Sequence, residues 1–505
     1  MATAVKHTSA ADKTLDGMLL EMFHLVWLDA GSSSPDGRHT EQQLRSIINH
    51  LVKFQDVHEC EEYIKAQSSN ERIVMVVSGQ LGRKIVPNIH LLRQVISIYV
   101  YCMDVVAHKI WTQNYRKVKG VVVELNELIK RIQADHKIQK KMEEPLSINI
   151  FTTNTLTEGV STTGINNNFL FSQVFMDCLI RLKYTEADQK ELIEFCKQKY
   201  KGNNFELSNI GEFQEHYSSE NALRWYTRES FFYKTLNAAL RQSDIHAIFL
   251  FRKYIADIQQ QLKNRQVRNS IRIYRCQMIS NNELETLRKS CGQFISINSF
   301  FSTSIYKDNA LKFLKTPDDT ENLASVLFEI DANPQMAITR PFAALGELSE
   351  YKDEAEVLFM IGSIFRLDKV KRNDINQVWI VRMILCNDEE HVLKEVLMDM
   401  KEKFVHDETN LLILGKFLWE MAKPNFAEKY YKRMLNQLSL DDPTLIDLYM
   451  ELATTELQAG HQEESLKWRQ KASELKKKLP LSSSFNNSKP KKSIGKLIKI
   501  LSLFY

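Results

Sequence analysis

The sequence predicts a multidomain fold in which an α/β domain, an α+β domain and an all-α segment follow one another along the chain. Short apolar runs alternate with amphipathic stretches in the first part, strand-like runs of period two fill the middle, and helical periodicity dominates the rest. The length of 505 residues is consistent with about three domains. The low numbers of breakers, 16 glycines and 10 prolines, favour a helix-rich protein.

The first domain is predicted at residues 15–140, with a parallel sheet. Its apolar runs are typical of strands buried on both faces, and they lie at residues 23–28, 73–77, 96–101 and 121–123. Stretches with helical periodicity, such as residues 43–51 and 89–95, lie between these runs. Ligands of parallel sheets bind at the carboxyl ends of strands, where Asp29 and residues 78–82 would lie. We interpret residues 78–82, which contain two glycines, as a turn.

After residue 140 the composition and the periodicity of the sequence change. Residues 141–168, rich in Thr, Asn, Ser and Gly toward their end, are predicted to be a linker. Thr185 begins a capping-box pattern that predicts a helix through Tyr200, and a second helical block follows from about residue 221 to 262. From residue 271 the period changes to two, which predicts strands at 271–277, 295–301, 325–330, 354–360, 364–370 and 379–385.

The last part is predicted to be helical and to fit the tetratricopeptide pattern. Residues 405–478 contain two units, each of two helices, with corresponding small residues such as Gly415 and Ala453. Such repeats predict protein partners. Residues 479–505 are predicted to be a basic, disordered tail, although contact of its lysines with an acidic membrane or partner is an alternative.

Composition excludes several classes of protein. The apolar fraction of 44% excludes intrinsic disorder, and seven scattered cysteines do not form a disulfide framework. The formal net charge is +4, but residues 476–505 hold eight lysines and no acid, so the remainder is faintly acidic and we expect no nucleic-acid partner. No apolar run is long enough to span a membrane, and we expect a cytoplasmic protein. The sequence His58-Glu59-Cys60 lacks the second ligand pair of a zinc site, so no metal is predicted.

Three places in the predicted α+β domain could carry chemistry. Arg275 shares a strand face with apolar residues, so it would pair internally or bind an anion such as a diphosphate. Ser302 to Ser304 form a hydroxyl-rich strand end, which alone would suit a turn or a helix cap. Glu354 and Glu356 are two residues apart, and this pair would be either a solvated face or two carboxylates with separate roles in glycosidic chemistry.

The order and spacing of these places indicate one family. Ser302 follows Arg275 by 27 residues, and Glu356 follows Ser302 by 54. With the flanking residues Ile273-Tyr274, Phe301 and Val357-Leu358, and with residues 225–230 and 236–241 upstream, the chain resembles the mono-ADP-ribosyltransferases of the arginine-serine-glutamate class. The resemblance implies an ADP-ribosyltransferase domain at about residues 170–375, with a helical lobe and mainly antiparallel sheets. Appended tetratricopeptide repeats are consistent with multidomain invertebrate members of this family.

The resemblance implies a transfer of ADP-ribose from NAD(P)+ to an arginine side chain of a protein, with release of nicotinamide and without a metal. Arg275 would bind the diphosphate and ribose side of NAD+, and Thr303 and Ser304 would line the nicotinamide site. Ser302 would orient Glu356, which would stabilise the oxocarbenium ion. In this family, Glu rather than Gln at the position of Glu354 goes with arginine as acceptor, and the loop at residues 340–353, with Tyr351, would recognise the substrate.

The chain departs from the family at one position. Cys276 follows Arg275 where the family usually has glycine. Strand alternation turns Cys276 away from the face of Arg275, so the arginine could keep its role. Two rival hypotheses remain, a scaffold protein with a degenerate transferase fold and an NAD glycohydrolase that uses water as acceptor.

Overall fold

The computed structural model describes residues 23–32, 35–68, 71–143, 146–152, 163–311, 323–349, 355–373, 377–387, 391–406 and 409–478. The predicted site residues Tyr351 and Glu354 lie outside the described residues, as does the predicted tail at 479–505. Contacts divide the described chain into two compact units. The first is formed from Met1–Ile148 and Tyr184–Asn387, and the second from Asn149–Lys183 and Asp388–Tyr505.

The first unit begins with a five-stranded parallel sheet, which confirms the predicted α/β part. The strand order is β2-β1-β3-β4-β5, and every pair of neighbours is parallel. All residues of β1 and β3 are buried, because an apolar cluster covers each face of the sheet. The strands are β1 (Phe23–Leu28), β2 (Leu51–Phe54), β3 (Arg72–Val77), β4 (Val95–Tyr101) and β5 (Val118–Val122).

The helices around this sheet differ from those predicted. They are α1 (Pro35–Arg45), α2 (Val57–Ala66), α3 (Gly79–Ile89), α4 (Val105–Thr112) and α5 (Leu125–Glu143). The predicted helices at 43–51 and 89–95 were wrong, because their apolar residues belong partly to the end of a helix and partly to the next strand. The predicted turn at 78–82 was also wrong, since Gly79 begins α3. A Cβ on Gly79 would lie 2.4 Å from His108 Nε2, so the His108 ring would have to move if a larger residue replaced this glycine.

The predicted linker at 141–168 also contains regular structure. The end of α5, the strand β6 (Ile148–Phe151) and the start of α6 (Thr163–Leu179) all lie in it. Asn166 fixes the described part by accepting a hydrogen bond from the Thr152 amide at 2.9 Å. The polar residues of this segment therefore serve partly as hydrogen-bond partners of ordered backbone.

A helical lobe follows in the first unit, formed by α7 (Glu186–Lys199), α8 (Asn204–His216), α9 (Ala222–Thr227), α10 (Phe231–Gln242) and α11 (Ile245–Asn264). The predicted capping box is present at the start of α7, where Thr185 and Asp188 exchange hydrogen bonds. Asp188 also accepts a hydrogen bond of 2.5 Å from the buried Arg252 of α11, so that one carboxylate caps a helix and joins two helices.

A mixed sheet completes the first unit. Its neighbouring strands run in the order β11-β12-β9-β7-β10-β14-β13-β8, and of these pairs only β10 with β14 is parallel. The predicted strand at 295–301 is two separate strands in the structure, β8 (Phe294–Ile297) and β9 (Phe301–Ser304). Because they are separate, β9 can lie between β7 and β12 while β8 pairs with β13. The elements are β7 (Ile271–Ser280), α12 (Asn281–Lys289), β8 (Phe294–Ile297), β9 (Phe301–Ser304), α13 (Lys307–Leu311), β10 (Leu323–Ala332), β11 (Phe342–Ala344), β12 (Glu356–Phe359), β13 (Ser363–Asn373) and β14 (Val378–Cys386).

The second unit is helical. Besides α6 it contains α14 (His391–Phe404), α15 (Leu411–Glu420), α16 (Pro424–Leu435), α17 (Thr444–Gln458) and α18 (Gln462–Lys478). The last four helices form the two predicted pairs. Within the first pair the ring of Tyr431 packs on Gly415, and within the second Ser465 Oγ donates to the Ala453 carbonyl at 2.7 Å. Among the described residues, no helix is both long and apolar enough to cross a membrane.

The buried His24 of β1 and the half-buried His50 beside it predict a loss of stability in acid. His24 is 2% exposed and its ring centroid lies 4.2 Å from that of His50. Burial and the charge of His50 lower the pKa of His24 to about 4, and burial and Arg45 also lower the pKa of His50. The unfolded chain therefore binds more protons as the pH falls below about 6.5.

We expect His24 alone to lower the free energy of unfolding by about 2 kcal/mol when the pH falls from 7.5 to 5. Urea unfolding of the wild type and of His24→Gln at both pH values measures this, and the variant should show a smaller pH dependence. The matched control is His58→Gln, because His58 is 80% exposed and should leave the pH dependence unchanged. An equal pH dependence in His24→Gln and the wild type would contradict the assignment.

Candidate active site

The register of three neighbouring strands brings the predicted site residues together. In the antiparallel pair of β9 and β12, Ser304 lies opposite Glu356 and Ser302 lies opposite Leu358. On the other side of β9, Ser304 pairs with Tyr274 of β7. Arg275, Ser302 and Glu356 are separated by 27 and 54 positions in sequence, but they therefore lie on three adjacent strands.

The carboxylate of Glu356 is held by two serine hydroxyls. Ser302 Oγ donates to Glu356 Oε1 at 2.5 Å, and Ser349 Oγ donates to Glu356 Oε2 at 2.8 Å. Glu356 is half-buried, whereas Ser349 is 3% exposed. Because each carboxylate oxygen has its own donor, the orientation of the carboxylate plane is fixed before any ligand binds.

Arg275 lies on β7, and its side chain is hydrogen-bonded to β9, the strand that contains Ser302. Its Nη1 donates to the Ser302 carbonyl at 2.9 Å and its Nε donates to Gln277 Oε1 at 3.2 Å. The guanidinium carbon lies 5.3 Å from the ring centroid of Phe301. The half-buried cation is therefore placed beside the serine that binds Glu356, on the next strand of the sheet.

The other two hydroxyls of the motif have structural partners. Thr303 Oγ1 donates to the Val357 carbonyl at 2.8 Å, and Thr303 is buried. Ser304 Oγ accepts from the Tyr306 amide at 3.2 Å and shapes the turn after β9. Both side chains thus fix the backbone around Ser302, and their contact with a ligand stays a prediction.

The residue between the two motif glutamates has an unusual backbone. Ala355 has a φ of 45°, a left-handed conformation that costs a non-glycine residue about 1–2 kcal/mol. Its carbonyl accepts from the Ile305 amide at 3.2 Å, which ties it to the chain just after β9. The predicted strand at 354–360 begins only at Glu356, so strand alternation gives no position for Glu354.

Cys276 lies away from the face of Arg275, as strand alternation predicts. It is 5% exposed and packs in an apolar cluster with Ala310, Leu327 and Val378. Burial raises the pKa of its thiol to about 12. The cysteine therefore fills a core position behind the sheet.

Ser349 is the site residue that sequence reasoning missed. The loop at residues 340–353 was assigned to substrate recognition, with Tyr351 as the candidate contact. The structure shows that Ser349 binds the carboxylate directly, and that the preceding carbonyl of Leu348 accepts from Thr227 Oγ1 at 3.2 Å. The only signal available from sequence was a hydroxyl residue seven positions before Glu356.

The weaker candidates have the following surroundings in the structure. Asp29 Oδ1 accepts from the Gly31 amide at 2.7 Å and so shapes its own turn. His58 is exposed whereas Cys60 is buried, and no group of three possible metal ligands occurs among the residues the structure describes.

One segment of the chain matches a family of known proteins. Residues 179–387 match the model of a family described as ADP-ribosyltransferase exoenzyme. A comparison with curated proteins gave no match. Among solved structures, the chain is similar to Vis from Vibrio splendidus in complex with agmatine, with 20% identity over 42% of this chain and 92% of that chain and a TM-score of 0.27.

Two further solved structures are similar to the chain. The Clostridium limosum C3 exoenzyme is 16% identical over 38% of this chain and 94% of that chain, with a TM-score of 0.27. C3stau2 from S. aureus, in a structure with NAD, is 14% identical over 36% of this chain and 93% of that chain, with a TM-score of 0.25. The segment that matches the family model contains Arg275, Ser302 and Glu356, and this match supports an ADP-ribosyltransferase family for residues 179–387.

Proposed function

We propose that the protein transfers ADP-ribose from NAD(P)+ to arginine side chains of proteins and releases nicotinamide. The observation that carries this proposal is the carboxylate of Glu356, which is held at both oxygens by Ser302 and Ser349 beside Arg275. This constellation lies within the segment that matches the ADP-ribosyltransferase family model.

The reaction breaks the C–N bond between nicotinamide and ribose, and nicotinamide leaves with the bonding electron pair. Positive charge develops on the ribose as an oxocarbenium ion, as in other glycosidic chemistry. The fixed negative charge of Glu356 would stabilise that ion, because a carboxylate already oriented by two hydroxyls needs no reorganisation during the reaction. Arg275 would bind the diphosphate, since its planar guanidinium matches phosphate oxygens.

The acceptor is proposed from the sequence motif. A nitrogen of the target guanidinium forms the new bond to the ribose carbon and loses a proton, and Glu354 would accept that proton as a general base. Tyr351 would contact the acceptor. The residue between the two glutamates, Ala355, has a left-handed backbone conformation, and β12 begins only after it.

Protein partners are proposed for the helical second unit. The pairs α15–α16 and α17–α18 pack through small residues, Gly415 against Tyr431 and Ser465 against the backbone of Ala453. This packing is consistent with tetratricopeptide-like repeats, which present helical surfaces to other proteins. We also propose that the protein is located in the cytoplasm.

The charge of Glu356 can be tested directly. We expect Glu356→Gln to lower kcat/KM for NAD turnover by about 10²–10³-fold or more, because loss of one charge-stabilising group at a reacting centre has effects of that size. Release of nicotinamide from labelled NAD measures the rate. Glu285→Gln is the control, since Glu285 is an exposed helix residue that pairs with Arg288. Near-normal turnover by Glu356→Gln would end the proposal.

Ser349 provides a test of the orienting hydrogen bond. We expect Ser349→Ala to lower kcat about 10-fold with little change in KM for NAD, since Glu356 keeps its charge but loses one donor. Ser363→Ala is the matched control, because Ser363 is fully buried and donates at 2.7 Å to the Met360 carbonyl in the same sheet. An unchanged kcat in Ser349→Ala, with the control also unchanged, would show that this bond has no part in orientation.

The acceptor can be tested with labelled NAD and agmatine. We expect the wild type to label agmatine, and Glu354→Gln to lose this transfer while it retains some NAD hydrolysis, because Glu354 serves the acceptor and Glu356 the ribose. Turnover by the wild type without transfer to any arginine acceptor would instead indicate an NAD glycohydrolase. Absence of NAD turnover would favour the scaffold hypothesis.

A further inference from the structure

A cavity of about 700 Å³ lies in the first unit, away from Glu356. It is lined by residues of α1 and α5 from the parallel α/β part and of the helical lobe near the start of α8 and between α9 and α10. Its volume is within the range of sites that bind small molecules and cofactors. None of the predicted site residues lines it.

The lining of the cavity includes polar side chains with hydrogen-bonding groups. His136 is 6% exposed, and its buried Nδ1 has no hydrogen-bond partner among the described residues. Burial lowers the pKa of His136 to about 3, so the ring is neutral at physiological pH. Gln43, which is half-buried, and Gln133, which is exposed, also line the cavity, and the side-chain amide of each donates and accepts hydrogen bonds. Polar groups of this kind suit a heterocycle with its own donors and acceptors.

The charged lining favours an anion. Lys137 and Lys140 line the cavity with one carboxylate, Glu229, so these three groups sum to a positive charge. Lys140 Nζ lies 2.7 Å from Glu229 Oε1, and burial would raise the pKa of Glu229, but Lys140 and Lys234 lower it to about 2. Phe205 is half exposed and provides a flat apolar wall. A planar ring joined to a phosphate matches this combination of groups.

Two chains of contacts lead from the cavity to the candidate active site. Glu229 is two residues from Thr227, whose hydroxyl donates to the Leu348 carbonyl, next to the serine that binds Glu356. Lys140 also lies over the ring of Tyr233 at 4.0 Å, the Tyr233 ring lies 5.3 Å from Tyr226, and Tyr226 lies 4.5 Å from Phe300.

We propose that this cavity is a second ligand site, that it binds a nucleoside monophosphate, and that its occupancy lowers the rate of the proposed transfer reaction. The phosphate competes with Glu229 for Lys140. Loss of the Lys140–Glu229 pair loosens residues 227–229, and with them Leu348 and Ser349, so that Glu356 is less well oriented. Binding requires only the cavity, whereas the effect on rate rests on the proposed function.

Binding is tested by isothermal titration of the full chain with AMP as the probe. We expect one site whose affinity falls at least 10-fold in Gln133→Trp, which fills the cavity, and in Lys137→Glu, which reverses a charge. Lys130→Glu is the matched control, because Lys130 is exposed on the same helix and does not line the cavity. Arg275→Ala should bind AMP as the wild type does, which separates the cavity from the proposed NAD site.

The rate is tested by NAD turnover with and without AMP. AMP in the cavity should lower kcat at least 5-fold in the wild type and have no such effect in Gln133→Trp. An increase in KM for NAD alone would indicate competition at the NAD site and overturn the proposal. Absence of AMP binding at millimolar concentration, or binding that survives Gln133→Trp but is lost in Arg275→Ala, would also overturn it. A protein without NAD turnover that still binds AMP in the cavity would fail only the proposed function.

Discussion

The hydrogen bond from Ser302 to Glu356 is the interaction on which the candidate site depends. It exists only because β9 lies between β7 and β12, with Ser302 opposite Leu358 in the antiparallel pair. A shift of one residue in that register would turn Ser302 to the other face of the sheet. The hydroxyl of Thr303, which bonds to the Val357 carbonyl at 2.8 Å, supports the register from the opposite side of the same strand.

The parallel α/β part is joined to the helical lobe by buried polar contacts. Lys234 of α10 donates to the Ile47 carbonyl at 3.2 Å and pairs with Glu206 at 3.2 Å, and both charged side chains are almost fully buried. Asn203 donates to the Arg45 carbonyl at 2.8 Å. Because removal of one partner from a buried ion pair is strongly destabilising, these contacts favour a single arrangement of the two parts. The α/β part therefore belongs to the same compact unit as the candidate active site.

Sequence reasoning succeeded where the signal is local and failed where it depends on packing. The buried apolar runs identified β1 and β3, and the Thr185 pattern identified the cap of α7, since each depends on neighbouring residues alone. The strand β2 was missed because it has only four residues, of which three are half-buried, and so lacks a continuous apolar run. The turn predicted for the two glycines at the start of α3 was wrong because the close neighbours of these glycines, His108 for Gly79 and Val77 and Trp111 for Gly82, are contacts across the fold.

The same distinction holds at the site. The spacing of Arg275, Ser302 and Glu356 was sufficient to select them, because their order along the chain follows the strands that carry them. The role of Ser349 could not be deduced, since its position depends on how residues 345–349 fold back on β12, where the Leu345 amide donates to the Glu356 carbonyl at 2.9 Å. The cavity between α1, α5 and α8 likewise could not be predicted, because its lining residues are far apart in the sequence.

The placement of Cys276 has a consequence for the behaviour of the protein toward oxidants and thiol reagents. A thiol reacts as its thiolate, and burial that raises the pKa of Cys276 to about 12 leaves almost none of that form at neutral pH. The cysteine beside Arg275 is therefore a poor nucleophile, although it adjoins the candidate active site. Cys291, which is exposed at the end of α12, is the more accessible target for alkylation or oxidation. The strand that carries Arg275 thus presents no accessible thiol.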